Sequence, residues 1–193
     1  KYHTIQAAVT AAHNGDTISV ASGTYPEDVK IDKVLTLQGT DYPKVYGMYY
    51  YGGAGTIKGF NFQKYGINAN YAGGPQLVRN NYFYNCGIYL AGGAASYGTI
   101  RNNKINNGTV YLYEIKDETL SNNTISNSVC GLYIDEMSSY PTVKNCIFKN
   151  NKYGVYFFQW EPHDPGRLTK FSGDIYSGNK HNFGWGSTPI YEL

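Results

Sequence analysis

One short phrase recurs about every 22 residues between Thr56 and Ile175, and no other feature limits the possible folds as tightly. Its clearest copies are Leu77-Val78-Arg79-Asn80-Asn81-Tyr82-Phe83, Thr99-Ile100-Arg101-Asn102-Asn103-Lys104-Ile105 and Thr119-Leu120-Ser121-Asn122-Asn123-Thr124-Ile125. Weaker copies span 56–62, 142–148 and 169–175, so starts at 77, 99, 119, 142 and 169 lie 22, 20, 23 and 27 residues apart. Several copies are followed by Gly and an apolar-x-apolar triplet: Gly87-Ile88-Tyr89-Leu90, Gly131-Leu132-Tyr133-Ile134 and Gly154-Val155-Tyr156-Phe157. A fixed period of this length means stacked repeats, each too small to bury its apolar face alone.

Within a copy, apolar residues occupy the second and seventh positions and then the triplet. Such short runs between turn residues read as strands rather than helices. Leucine-rich repeats share the length and an Asn but need many Leu and a longer return segment. Three short strands per turn, joined by bends, make a coil of a parallel β-helix. The fourth column reads Gly59, Asn80, Asn102, Asn122, Asn145 and Ser172. Gly and Asn tolerate a left-handed backbone best, so this column is the expected bend. The fifth reads Phe60, Asn81, Asn103, Asn123, Cys146 and Gly173, and its Phe and Cys imply an inward position. Asn81, Asn103 and Asn123 are therefore expected to stack as an internal amide ladder, with about 4.8 Å between rungs.

The first 40 residues differ. Ile5, Ala8, Val9 and Ala12 keep helical spacing, Thr4 suits an N-cap, and Asn14-Gly15 ends the segment. This predicts a short capping helix over about 3–13, which hides the edge of the first coil. Strands at 17–20 and 34–39 then begin the stack. The whole of 1–193 is expected to be one domain, with 1–40 as cap and first coil and 56–186 as repeated coils.

Thr4-Ile5-Gln6-Ala7-Ala8-Val9, Gly15-Asp16-Thr17-Ile18, Gly23-Thr24-Tyr25 and Leu35-Thr36-Leu37-Gln38-Gly39 carry a family resemblance. They resemble the opening of right-handed parallel β-helix proteins of the pectin-lyase-like superfamily, including NosD-type surface repeats. The resemblance implies an all-β, single-stranded right-handed parallel β-helix with a short N-terminal capping helix. It is specific for fold and poor for function, since that fold hosts lyases, esterases, epimerases, adhesins and structural surface proteins.

Composition narrows the partners. Charged residues are 16% and the formal net charge is +2, with no Lys/Arg run, so nucleic acid is not an expected partner. No apolar run approaches the length of a membrane span. The chain opens on Lys1 with no signal-peptide pattern, as expected of a processed chain or an excised domain. Cys86, Cys130 and Cys146 show no metal spacing and are expected as small core fillers.

The central residue of each triplet should point outward: Asn68, Tyr89, Tyr111, Tyr133, Tyr156 and Gly184. Four consecutive Tyr form a ladder that either stabilises the sheet surface or, together with Trp160, offers a platform for sugars or another protein. In polysaccharide-active relatives the substrate lies along this face. The loops beyond carry most of the acids, among them Glu114, Asp117, Glu118, Asp135 and Glu136. They read first as solvated loop charge, with Glu114, Asp135 and Glu136 as weak candidates for Ca²⁺; no other cofactor is expected. Residues 156–164, through Trp160-Glu161-Pro162-His163-Asp164, resemble the Tyr-Gly-x-Asp-Pro-His signature of alginate epimerases. That resemblance implies His163 as general base or acid, Glu161 as charge neutraliser and Tyr156 as proton partner. Glu stands where the signature has Asp, and the further acid expected one coil on is missing around 183–187.

Two functions follow as expectations. The first is a non-catalytic extracellular or cell-envelope domain whose Tyr-lined face binds polysaccharide or neighbouring subunits. The second is a uronate-polysaccharide lyase or C5-epimerase centred on Tyr156, Glu161 and His163. The tail, 187–193, has no evident cap, which leaves head-to-tail self-association as a further expectation.

Overall fold

Each copy of the repeat closes one coil of a right-handed parallel β-helix. The structure is a computed structural model that describes residues 1–70, 73–92, 97–135, 137–138, 140–158 and 169–186. The first three positions of each copy form an eight-stranded parallel sheet running from Thr17–Val20 and Leu35–Gly39 to Lys170–Ser172. The rest of each coil enters a thirteen-stranded sheet that forks at Asn61–Asn70. One arm continues through Tyr82–Tyr84 and Lys104–Asn106, the other through the triplets Ile88–Ala91, Val110–Tyr113, Cys130–Ile134, Tyr153–Phe158 and His181–Gly186. Upstream of the fork, Thr24–Ile31 and Lys44–Tyr50 run through both arms as single strands, with only a register shift where later coils turn a corner.

Alternation sends every second side chain inward, and like positions stack from coil to coil. Ile57, Val78, Ile100, Leu120 and Val143 are in register on one wall and fully buried. Phe62, Phe83, Ile105, Ile125 and Phe148 line the second wall, where the rings of Phe62 and Phe83 stack with centroids 4.7 Å apart.

The two Asn columns separate as their chemistry demands. Asn80, Asn102, Asn122 and Asn145 all have φ between 54° and 57°, and Gly59 has 77°. This is the left-handed region, where Asn and Gly meet the smallest steric penalty. Asn81, Asn103 and Asn123 point inward. The amide of Asn81 donates to the Oδ1 of Asn103 at 3.1 Å, and that of Asn103 to the Oδ1 of Asn123 at 3.0 Å. Each amide also donates to a backbone carbonyl, those of Ile57, Val78 and Ile100 in turn.

The last copy of the phrase needs a correction. Lys170, not Thr169, pairs with Thr142, so the copy begins one residue later than the Thr suggested. Gly173, with φ of 69°, then makes the bend, and Asp174 takes the ladder position. The Asp174 Oδ1 accepts from the backbone N–H of Cys146 at 2.7 Å, as an Asn oxygen does in the coils before it. Position one faces outward, so Lys serves there as well as Thr, and residue type alone could not set the register.

A second bend and ladder were not foreseen. Asn85, Asn107, Asn127 and Asn150 have φ of 53° to 58°, and Gly178 has 68°. The next residue turns inward: the Ser128 hydroxyl accepts from Gly108 N–H, Asn151 Oδ1 from Ser128 N–H, and Asn179 Oδ1 from Asn151 N–H. Just beyond, Gly87 is required by close approach, since a Cβ there would collide with the Thr109 carbonyl oxygen of the next coil.

The N-terminal helix, Ile5–Ala11, is shorter than the expected 3–13. The Thr4 hydroxyl caps it by accepting from Ala7 N–H at 3.1 Å. The Glu27 carboxylate receives the free N–H groups of Ile5 and Gln6, and the Lys33 ammonium donates to the Val9 and Thr10 carbonyls. Both open ends of the helix are thus closed by side chains of the first coil, at the ends where their charges suit the helix dipole. Ile5 and Val9 are buried against the stack, so the helix covers its first edge.

Candidate functional site

The triplet arm sets the tyrosines in register: Asn68 pairs with Tyr89, Tyr89 with Tyr111, Tyr111 with Tyr133, and Tyr133 with Tyr156. Gly184 follows Tyr156. Flanking residues such as Leu90, Leu112, Leu132 and Val155 point into the core, so the tyrosines lie on the outer face. Ring centroids are 5.8 Å apart for Tyr89 and Tyr111, 4.8 Å for Tyr111 and Tyr133, and 6.0 Å for Tyr133 and Tyr156.

The face is not uniformly open. Tyr89 and Tyr111 are half-buried, but Tyr133 is only 5% exposed and Tyr156 6%. The Phe158 ring stacks on Tyr133 at 6.2 Å, and a change in coil length accompanies the burial. Val110 follows the corner residue Gly108 by two positions, whereas Leu132 follows Ser128 by four, as Val155 follows Asn151 and Phe183 follows Asn179. The two added residues bring Cys130, then Tyr153, then His181 alongside the triplet. Tyr153 packs edge-on to Tyr156 at 5.2 Å and stacks on His181 at 5.0 Å. Cys130, Tyr133, Tyr156 and Phe158 form a second apolar cluster outside the main core. Burial, then the neighbouring Tyr153 and Cys130, push the Tyr156 phenol above its ordinary range.

Upstream the face continues further than the repeat indicated. Tyr49 pairs with Asn68, and its hydroxyl accepts from the Asn70 amide at 2.9 Å. The Tyr51 ring lies 4.5 Å from that of Tyr49, with the Lys30 ammonium over it at 5.9 Å. Between Tyr49 and Tyr89 the Asn68 Oδ1 is enclosed and has no hydrogen-bond partner. The signal was present as the triplet Met48-Tyr49-Tyr50, one coil ahead of the first recognisable phrase.

At Asp135 the acidic corner is not solvated charge. Asp135 is 2% exposed, and its Oδ1 accepts from Glu114 N–H, Ser138 N–H and the Ser138 hydroxyl. That oxygen closes the turn and has little capacity left for a cation. Glu114 is half-buried with φ of 56°, and Glu136 lies outside the described residues. No group of three or more metal-ligating side chains occurs among the described residues. Glu118, expected in a loop, is 1% exposed. Its Oε2 accepts from Gly98 N–H at 2.9 Å and its Oε1 has no partner. Burial pushes its pKa up to about 8, against a smaller opposing pull from the Gly98 N–H, so at neutral pH this carboxyl is mostly protonated.

Of the epimerase-like set, Tyr156 alone is described; Trp160, Glu161 and His163 lie outside the described residues. The three cysteines are free and buried, Cys86 and Cys146 in the main core and Cys130 in the outer cluster. His181 is exposed on the last coil, and among the described residues no helix is long and apolar enough to cross a membrane.

No curated protein and no solved structure matches this chain. A family model described as "Right handed beta helix region" matches residues 46–191, which takes in every copy of the repeated phrase. With that match and the coil geometry in agreement, the chain belongs to the right-handed β-helix family.

Proposed function

We propose that this chain is a non-catalytic β-helix domain of the extracellular space or cell envelope that holds a glycan against its tyrosine face. The observation that carries this is the open stretch from Tyr49 past Asn68 to Tyr89 and Tyr111. There half-buried rings stand in register along the triplet strands. Tyr supplies apolar area for a sugar ring together with a hydroxyl for its polar edge. Tyr133 and Tyr156 belong to the packing of the domain rather than to the platform. Binding to a panel of immobilised glycans tests this. The Tyr89→Ser/Tyr111→Ser double variant, folded by circular dichroism, should lose a signal that wild type gives, and retention of that signal rejects the reading.

The uronate lyase or epimerase reading rests on the resemblance at 156–164. The buried Tyr156, with its phenol pushed up, counts against a proton-accepting role for that residue. Turnover assays on alginate and pectate separate the two readings. Subunit association has in its favour the exposed Ile175, Phe183 and Trp185 of the last coil, Trp185 being 70% exposed. Head-to-tail stacking would also have to displace the helix Ile5–Ala11 from the first coil.

A further inference from the structure

The outer face of the eight-stranded sheet, away from the tyrosine triplets, has a charge order of its own. Between Asp41 and Glu114 the chain holds six Lys or Arg and no Asp or Glu. Three of these cations occupy the third position of the repeat and are stacked by the strand register. Lys58 pairs with Arg79, and Arg79 with Arg101. Ser121 interrupts the row and Lys144 resumes it one coil on. Two positions earlier in each strand stand Thr56, Leu77, Thr99, Thr119 and Thr142, all half-buried on the same face.

Among the described residues no carboxylate forms an ion pair with the row. The one ion pair found there joins His13 to Asp16, and the buried Arg79 Nε has no hydrogen-bond partner. Like charges facing each other on neighbouring strands destabilise a sheet, and here three do so in succession. At the head of the row a shallow cavity of about 310 Å³ opens between Gln38, Tyr42, Lys58, Arg79 and Asn80, with Asp41 as the sole carboxylate on its wall.

We propose that this face binds a linear acidic polysaccharide lying along the stack axis, its anionic groups meeting Lys58, Arg79 and Arg101 and, past a gap, Lys144. Stacked strands give one cation per ~4.8 Å, a spacing suited to a chain with about one charge per sugar. Duplex nucleic acid carries one charge per ~1.7 Å of axis, far denser than the row. Single strands are held by aromatic stacking along the groove, whereas Thr hydroxyls, partners for sugar hydroxyls, flank these cations. Arg79 and Arg101 add a planar fork that fits carboxylate or sulfate. The site lies on a different sheet from Tyr89 and Tyr111 and does not depend on the tyrosine-face reading.

The test compares wild type with the Lys58→Gln/Arg79→Gln/Arg101→Gln variant on immobilised polygalacturonate, chondroitin sulfate, neutral dextran and single- and double-stranded DNA over a range of salt. Wild type should be held by at least one of the two acidic glycans, with affinity falling as salt rises. The triple variant should bind about tenfold or more weakly. The Lys149→Gln variant, which removes an exposed cation of the other sheet, should bind as wild type does, which separates the row from general surface charge. Removing like-charge repulsion should leave the triple variant melting no lower than wild type. If it melts lower, the exposed Lys144→Gln change is the second probe, expected to weaken binding about threefold. Retention on either acidic glycan that is lost with the cations supports the proposal, and the tighter of the two names the anionic group. Equal retention on dextran, unchanged binding after removal of the cations, or a preference for DNA overturns it.

Discussion

The side-chain oxygen of Asn123 accepts both the backbone N–H and the side-chain amide of Asn103, each at 3.0 Å. One buried atom thus joins two coils twice, and Asn103 repeats the arrangement toward Asn81. Asn103→Ala leaves the buried Asn81 backbone N–H without its acceptor and removes one of the two donors to the Asn123 oxygen. An unsatisfied buried group costs about 1–3 kcal/mol, so a loss of about 2–3 kcal/mol is expected in urea denaturation. A loss below about 1 kcal/mol would show that water or relaxation replaces the ladder.

The bend column gives a cleaner backbone test. Asn122 is exposed with φ of 54°, so its substitution changes conformation more than packing. Asn122→Gly should be nearly neutral, while Asn122→Ala should cost about 1–2 kcal/mol. Thermal melts of the pair read the difference, and identical melting temperatures would contradict the assigned bend.

Glu118 makes stability depend on pH. Its folded pKa is pushed up to about 8 by burial, whereas an unfolded Glu titrates near about 4.3. Between these values the folded state holds the proton and the unfolded state does not, so stability falls as pH rises. The contribution is fully present below about pH 4, declines by up to about 1.4 kcal/mol per pH unit, and is level above about pH 8. Glu118→Gln, neutral throughout, should remove that decline from chemical denaturation measured across the range. A decline of the same slope in the variant would assign it to another group.

The two halves of the tyrosine row should answer mutation differently. Tyr156→Ala opens a cavity in a buried aromatic cluster and should cost about 3–5 kcal/mol. Tyr89→Ala, at a half-buried rim, should cost about 1 kcal/mol, with its effect appearing in ligand binding instead. Comparable destabilisation by both changes would mean that the row is packing along its whole length.

The thiols should be inert in the folded chain. Burial pushes Cys86 up to about 11 and raises Cys130 and Cys146 as well, which suppresses the reactive thiolate. Iodoacetamide near neutral pH should label none of them natively and all three in denaturant. Rapid native labelling of Cys130 would show that the outer cluster opens.

The coil was legible because its constraints are local and repeat. Asn at a left-handed bend and Asn at an inward ladder are each dictated by one or two atoms, so residue type by itself separates the adjacent columns. The second ladder escaped because its inward residues change chemistry from coil to coil: Cys86, Gly108, Ser128 and Asn151 share a place but no motif. Glu118 looked like surface charge because nothing in its neighbours announces burial; its one hydrogen-bond donor, the Gly98 N–H, lies a coil away in sequence. The burial of Tyr133 and Tyr156 could have been suspected from spacing. Asn85-Cys86-Gly87-Ile88 lengthens to Asn127-Ser128-Val129-Cys130-Gly131-Leu132, and the added pair brings Cys130 beside the buried rings.

That two-residue lengthening gives an otherwise periodic face a boundary. Above it, Tyr89 and Tyr111 stand half-buried on neighbouring rungs, one strand spacing apart. At Tyr133 the row sinks into the outer cluster, and its half-exposed stretch ends there. A repeat that by itself offers only spacing thereby acquires an origin and a direction, and the two ends of the face cease to be equivalent.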